Sequence, residues 1–306
     1  MKISVIIPAF NSESFINKAV ESALSQKEVG EVLVINDGST DNTILEVQKI
    51  KDSRVKIYHH ENKVNKGRSA TRNLGIIRSS FNLLAFLDAD DYFLPYRFEN
   101  DLKLLETYPR SEGIYNAVGF DFINSNELNE DLYTVTKEVK PEELFLGLLD
   151  GKFGHFQIDG LTVKKAAFEK VGLFNTDLEV AEDTDIFWKL SLLCNLYTGI
   201  INHPVAMRVV HNNNVFYRKD VYEKFRYNMY ESVLKWSCEH KIELDVIDRI
   251  LRRIWILKHT DEVSLFEEIK YWWFLCFFHK RIFFSVLSIK YFPIIRRRKK
   301  VFSFLY

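Results

Sequence analysis

Ala85-Phe86-Leu87-Asp88-Ala89-Asp90-Asp91-Tyr92-Phe93 (AFLDADDYF) begins as an apolar strand and ends in three carboxylates within four residues. Like charges so spaced repel one another unless a cation sits among them. The residues before this stretch decide the fold. Residues 3–7 (ISVII) are a continuous β-branched run, the pattern of a strand covered on both faces. Over residues 12–26, Phe15, Ile16, Ala19, Val20, Ala23 and Leu24 fall on one helical stripe, with Asn11 or Ser12 as the expected cap and Glu13 in the first turn. Residues 32–35 (VLVI) read as a second buried strand and 43–51 as a helix. Residues 55–58 read as a short strand, 69–79 as a helix, and 83–87 as the strand that ends in the carboxylates. This alternation predicts an α/β fold with a mainly parallel central sheet flanked by helices.

Ligands of such sheets bind beyond the carboxyl ends of the strands. The polar clusters after strands one, two and four, residues 8–11, 37–41 and 88–91, are expected there. Beyond residue 110 the pattern loosens: strands are expected near 113–122 and 161–163, a helix near 141–149, and another after Glu182-Asp183 through Leu193. Residues 220–306 read as mostly helical and aromatic-rich. The expected organisation is a nucleotide-binding half over 1–110, an acceptor and catalytic half over 111–218, and a helical extension over 219–306.

The net charge of zero hides an asymmetry. Residues 271–306 hold eight Lys or Arg and no Asp or Glu, which leaves 34 basic and 42 acidic residues before them. Cys194, Cys238 and Cys276 are too scattered for a disulfide framework or a zinc site and point to a reducing compartment. The apolar run at residues 3–7 stops at Pro8, too short for an export signal, and no stretch has the eighteen or so apolar residues of a spanning helix. A cytoplasmic location is the expectation, and no nucleic-acid-binding module accompanies the basic tail.

Taken singly, each polar motif has an ordinary explanation. Asp88-x-Asp90 at a strand end suits Mg²⁺ or Mn²⁺ shared with a diphosphate, but a polar turn also collects aspartates. An aspartyl-nucleophile phosphatase would place its Asp-x-Asp after the first strand, not the fourth. Asp37 can accept from a nucleobase N–H or simply begin a turn with Gly38. Residues 65–73 (NKGRSATRN) offer helix-start amides with Lys66, Arg68 and Arg72 to a phosphate, or only a capped helix. Glu182-Asp183 is either a first-turn acidic pair or the site of a general base. His211 is either a phosphate contact or a structural histidine.

Together and in this order, Pro8-Ala9-Phe10-Asn11, residues 36–41 (NDGSTD), Asn65-x-Gly67 with Ala70-x-Arg72-Asn73, Asp88-x-Asp90-Asp91 and Glu182-Asp183 resemble glycosyltransferase family 2, over residues 1–215. The resemblance implies a GT-A-type fold and an inverting, metal-dependent transfer of a hexosyl or N-acetylhexosaminyl group from a UDP-sugar to a glycan acceptor, carried on a lipid in many bacterial relatives. The setting it implies is surface polysaccharide synthesis: lipopolysaccharide, capsule or O-antigen. By the same resemblance Pro8, Phe10 and Asn11 line the nucleotide pocket, Asp37 contacts the uracil and Arg72 lies close to the base. Asp88 lies near the ribose or metal, Asp90 holds Mn²⁺ or Mg²⁺, and Asp91 is a supporting or acceptor-side carboxylate. Gly67, Ala89 and His211 complete the donor-binding set, and Asp183 is the catalytic base with Glu182 beside it. The membrane-spanning QxxRW segment of processive synthases is not found, which fits addition of single sugars. A sugar-nucleotide pyrophosphorylase would want a Gly-rich basic loop in place of Pro8-Ala9-Phe10-Asn11. A non-catalytic nucleotide-sugar-binding module has no need of Glu182-Asp183.

The tail carries one more expectation. Residues 271–306 contain thirteen aromatic residues, among them Trp272, Trp273, Phe277, Phe278, Phe283 and Phe284, interrupted by His279-Lys280-Arg281 and followed by five charges at 296–300. That composition predicts a peripheral hold on the inner face of the cell membrane, against the alternative of a buried helical subdomain. No motif specifies the sugar or the oligomeric state.

Overall fold

A computed structural model of the 306-residue chain describes residues 1–123, 131–211, 219–258 and 263–297. It divides into two compact units, Met1–Glu223 and Lys224–Tyr306.

The first unit opens with β1 (Ile3–Ala9), α1 (Ile16–Leu24), β2 (Val29–Asn36), α2 (Thr43–Lys49), β3 (Val55–His59), α3 (Gly67–Arg78) and β4 (Leu83–Phe86). β1 pairs in parallel with β2 on one side and β4 on the other, and β2 pairs in parallel with β3. Successive side chains of a strand point to opposite faces, and β1 uses both. Ile3, Val5, Ile7 and Ala9 join the core with Ile16, Ala19, Val20 and Ala23 of α1. Ile6 points the other way, where a Cβ on Gly75 of α3 would lie 2.3 Å from its Cγ2. Glycine at 75 therefore lets α3 settle directly on the strand. Burial on both faces is why the run at residues 3–7 has no polar alternation, apart from a Ser4 hydroxyl satisfied by Glu31 at 2.6 Å.

After β5 (Tyr92–Phe93) and α4 (Glu99–Thr107) come β6 (Gly113–Tyr115), β7 (Val118–Phe122), α5 (Pro141–Asp150), β8 (Leu161–Lys164), α6 (Ala167–Val171), α7 (Glu182–Leu193), β9 (Leu196–Thr198) and β10 (Ala206–Val210). The seven-stranded sheet runs β3-β2-β1-β4-β8-β6-β9, and a smaller sheet runs β5-β10-β7. The expected mainly parallel α/β architecture is present, with β8 as the antiparallel strand between β4 and β6.

Two local expectations are corrected. Residues 113–122 are two strands in different sheets, split at Asn116, whose buried amide donates to Asp101 Oδ1 and to Gly160 O. Neither Asn11 nor Ser12 caps α1, which begins at Ile16 with no side-chain cap. Asn11 Oδ1 instead accepts from Thr40 N at 2.8 Å, and Glu13 Oε2 from Asn42 N at 2.9 Å. The polar residues after β1 tie down the loop after β2.

In the second unit, helices follow one another: the later part of α8 (Lys219–Glu239), then α9 (Leu244–Lys258), α10 (Leu265–Phe278), α11 (Lys280–Phe283), α12 (Val286–Lys290) and α13 (Pro293–Arg296). α9 buries Ile247, Ile250, Leu251 and Ile254, a stripe at three- and four-residue spacing. α10 starts with a capping box between Ser264 and Glu267. Buried Glu268 on its inner side pairs with Arg297 at 2.6 Å. Residues 298–300 of the basic tail lie outside the described residues.

Candidate active site

The strand ends meet as the sheet topology requires. Asp37, at the end of β2, is buried and donates its backbone N–H to Ala9 O at 2.8 Å. Its carboxylate accepts from Lys66 N at 2.7 Å and Gly67 N at 3.0 Å, and His60 Nε2 lies 3.4 Å away. It thus collects orphan amides at the start of α3. Gly38 beside it has φ +76°, and a Cβ there would sit 2.8 Å from Asn65 N, so the close approach of the two loops needs glycine.

The cation beside Asp88 is Arg72, on α3. Its side chain is 1% exposed and donates to Asp88 Oδ1 at 2.7 Å and to Glu182 Oε1 at 3.0 Å. Arg68, one turn earlier, reaches the same Glu182 oxygen at 3.2 Å. Both arginines of the expected phosphate loop therefore face carboxylates, and Arg72 links the end of β4 to the first turn of α7. Burial pushes the Asp88 carboxyl up, but Arg72 and then Arg68 outweigh it and hold it below the usual carboxylate range. Glu182 is buried within this pair of guanidinium contacts, whereas Asp183 is half-buried beside it. Asp183 Oδ1 accepts from Thr184 N at 2.7 Å. Burial, then the charge of Glu182, raise its carboxyl above the ordinary 3.8, against the pull of the two arginines. Ala181 in the left-handed region, φ 59°, turns the chain into α7 at this point.

Two groups of acidic side chains adjoin Asp88, and both have donors of the kind a divalent cation takes. In one, Asp90 Oδ2 lies 3.0 Å from His211 Nε2, and His211 stacks on Phe15 with ring centroids 4.9 Å apart. Burial and the charge of Asp88 raise the Asp90 carboxyl. In the other, carboxylate oxygens of Asp88, Asp91 and Asp159 lie within 4.8 Å of one another. Asp91 accepts from Val209 N at 2.8 Å, and Asp159 accepts from Asp88 N at 2.9 Å. Both are buried; burial and neighbouring carboxylates push Asp91 well up and Asp159 to about 6. Magnesium keeps waters and substrate phosphate in its shell and so needs an open side. The side chains of Asp88, Asp90 and His211 are 23%, 30% and 18% exposed. That group is open to solvent, whereas Asp91 and Asp159 are more deeply buried and hold the backbone N–H groups of Val209 and Asp88.

The remaining expected residues lie around this mouth. Pro8 and Ala89 are in or next to β1 and β4, Phe10 is an exposed ring just past β1, and Asn11 fastens the neighbouring loop as described. Asp159 was missed by sequence reasoning. Its signal is faint: a polar turn, Gln157-Ile158-Asp159-Gly160, ahead of the short apolar β8. Arg97 was missed as well; it is fully buried, donates through Nε and Nη2 to Asp159 O at 3.2 and 3.0 Å, and pairs with Asp101 at 2.7 Å.

Residues 4–172 match the family model for glycosyl transferase family 2, so α7 and His211 lie past the matched part. An uncharacterized glycosyltransferase of Rickettsia bellii is 30% identical over 271 residues, covering 84% of this chain and 36% of that protein. The Escherichia coli UDP-Glc:alpha-D-GlcNAc-diphosphoundecaprenol beta-1,3-glucosyltransferase WfaP is 38% identical over 107 residues, 34% of this chain and 41% of that one. Among solved structures, S. aureus TarS 1-349 in complex with UDP superposes with a TM-score of 0.61 at 20% identity, over 89% of this chain and 78% of that one. The fold, the family match and the carboxylates gathered at the strand ends agree, and the chain belongs to glycosyltransferase family 2 with a GT-A-type fold.

Proposed function

We propose that the protein transfers a single hexosyl or N-acetylhexosaminyl group, with inversion, from a UDP-sugar to a hydroxyl of a glycan acceptor in bacterial surface polysaccharide synthesis. The observation that carries this reading is the Arg72 bridge. By holding Asp88 at 2.7 Å and Glu182 at 3.0 Å, it sets the strand-end carboxylates and the first turn of α7 side by side. Phe10 and Asn11 border the nucleotide, and Asp37 receives the base through lone pairs left over from Lys66 and Gly67. Asp88 and Asp90, with His211, are the residues for Mn²⁺ or Mg²⁺, which when bound neutralises charge on the departing diphosphate. Arg72 is a positioning residue: it fixes Asp88 and Glu182. Asp183 takes the proton from the acceptor hydroxyl as that oxygen attacks the anomeric carbon. Burial and then the charge of Glu182 raise the Asp183 carboxyl, which makes it a better proton acceptor than an ordinary aspartate.

WfaP is named for a UDP-glucose donor and a diphosphoundecaprenol-linked acceptor, which supports a UDP-sugar and a lipid-carried acceptor here. Such an acceptor suits a protein attached at the inner face of the cell membrane. The test is UDP release from a panel of UDP-sugars with Mn²⁺ or Mg²⁺ and with excess chelator. Metal-dependent release from one donor is the expected result. UDP binding with no release from any donor, across a range of acceptors, would favour a binding module, and undiminished release in chelator would remove the metal.

A further inference from the structure

The second unit wears its apolar residues outward. Ten of the 22 large hydrophobic side chains that are exposed among the described residues fall between positions 266 and 295. On α10, Phe266, Trp273, Phe274 and Phe277 are exposed, with Phe277 at 76%. Their spacing puts them on one face, opposite the buried Glu268 and Leu275. A helix of a soluble domain has the reverse arrangement, with its polar face in water. The patch continues past α10 through Phe284, 80% exposed, and through Val286 and Ile289 of α12. Trp272, by contrast, turns inward, its indole N–H donating to Ser288 O at 2.7 Å.

An exposed apolar surface of this extent marks something that covers it. Charge selects the occupant. Lys280 is exposed at the start of α11 with Arg281 next to it, and residues 271–306 contain eight Lys or Arg without one acidic side chain. Length excludes crossing: α10, at 14 residues, is about 21 Å long against a hydrocarbon core of about 30 Å. No described helix is long and apolar enough to cross a membrane. We infer that the outward face of α10 to α12 is a lipid-docking surface, its aromatics entering the acyl boundary and Lys280 and Arg281 meeting anionic headgroups. Only the choice of the cytoplasmic leaflet rests on the transferase reading.

The experiment is flotation of the full chain with phosphatidylcholine vesicles, with and without phosphatidylglycerol. Binding is expected to the anionic vesicles and to weaken with salt. Phe277→Glu/Phe284→Glu is expected to reduce the partition constant at least about tenfold, since each ring leaves an apolar environment. Lys280→Glu/Arg281→Glu is expected to reduce it about fivefold per positive charge lost. Brominated lipid should quench wild-type tryptophan fluorescence, and Trp273→Phe should remove most of that quenching. UDP release in solution should be unchanged in all three variants, which separates failure of docking from failure of the transferase reading. Equal partitioning of wild type and variants would overturn the proposal. So would concentration-dependent self-association abolished by Phe277→Glu/Phe284→Glu without any vesicle binding, which would make a second copy the occupant.

Discussion

Replacing Arg72 by methionine keeps most of the side-chain volume and removes the charge from a site only 1% exposed. Two carboxylates lose a guanidinium contact at once, Asp88 at 2.7 Å and Glu182 at 3.0 Å, and Glu182 keeps only the longer Arg68 contact at 3.2 Å. Breaking a buried pair by removing one partner costs about 3–5 kcal/mol. For a unit of this size that is roughly 6–20 °C in melting temperature, at about 2–4 °C per kcal/mol. The assay is urea unfolding followed by far-ultraviolet circular dichroism. Adding Glu182→Gln to Arg72→Met should recover about 1–2 kcal/mol, because one stranded carboxylate is then neutral. The sign with pH is fixed by Asp88. Burial raises its carboxyl, but Arg72 and Arg68 outweigh that and leave it below the ordinary 3.8. Its contribution is therefore complete above that value and lost as pH falls through the lowered folded-state value, so the gap between wild type and Arg72→Met should close in acid. A loss under about 1 kcal/mol, or strictly additive effects of the two substitutions, would refute the bridge as the element joining β4 to α7.

Asp183→Asn should leave donor affinity nearly unchanged while turnover falls about 10²–10⁴-fold; a parallel collapse of donor binding would make the residue a structural cap. Because burial and Glu182 raise the Asp183 carboxyl and the base acts ionised, the acid limb of the pH–rate profile should lie above 3.8. Asp90→Asn and His211→Ala should each weaken metal-dependent donor binding by about tenfold or more in a metal titration, as expected for ligands of one ion. Gly38→Ala forces a Cβ to 2.8 Å from Asn65 N at φ +76° and should cost about 1–3 kcal/mol, read by thermal unfolding.

The first ninety residues announce themselves because each element there has one strong period. β1, β2 and β4 are covered on both faces and read as mostly apolar runs, and the polar loops at their ends stand out against them. What the sequence concealed depends on contacts across long separations. Arg72 stands among other basic residues of an ordinary helix start, and only the fold brings it to Glu182, 110 residues on. Asp159 holds the backbone of Asp88 from 71 residues away, in a short turn followed by a strand of only four residues. β8 runs antiparallel without a sequence mark, since a four-residue buried strand looks the same in either direction. In the second unit the aromatic content was plain, but which rings face outward was set by helix phase: Trp272 goes in, and Phe277 and Phe284 stay out.

The proposed transfer is a direct displacement at the anomeric carbon, driven from the carboxylates between β4 and α7. That is tested most directly with the UDP-sugar that the protein turns over, using water as the acceptor. The first-formed anomer of the released sugar is followed by proton NMR before mutarotation. Release of the inverted anomer, slowed about 10²–10⁴-fold in Asp183→Asn, is the predicted result. Release of the anomer that retains the donor's configuration would contradict it.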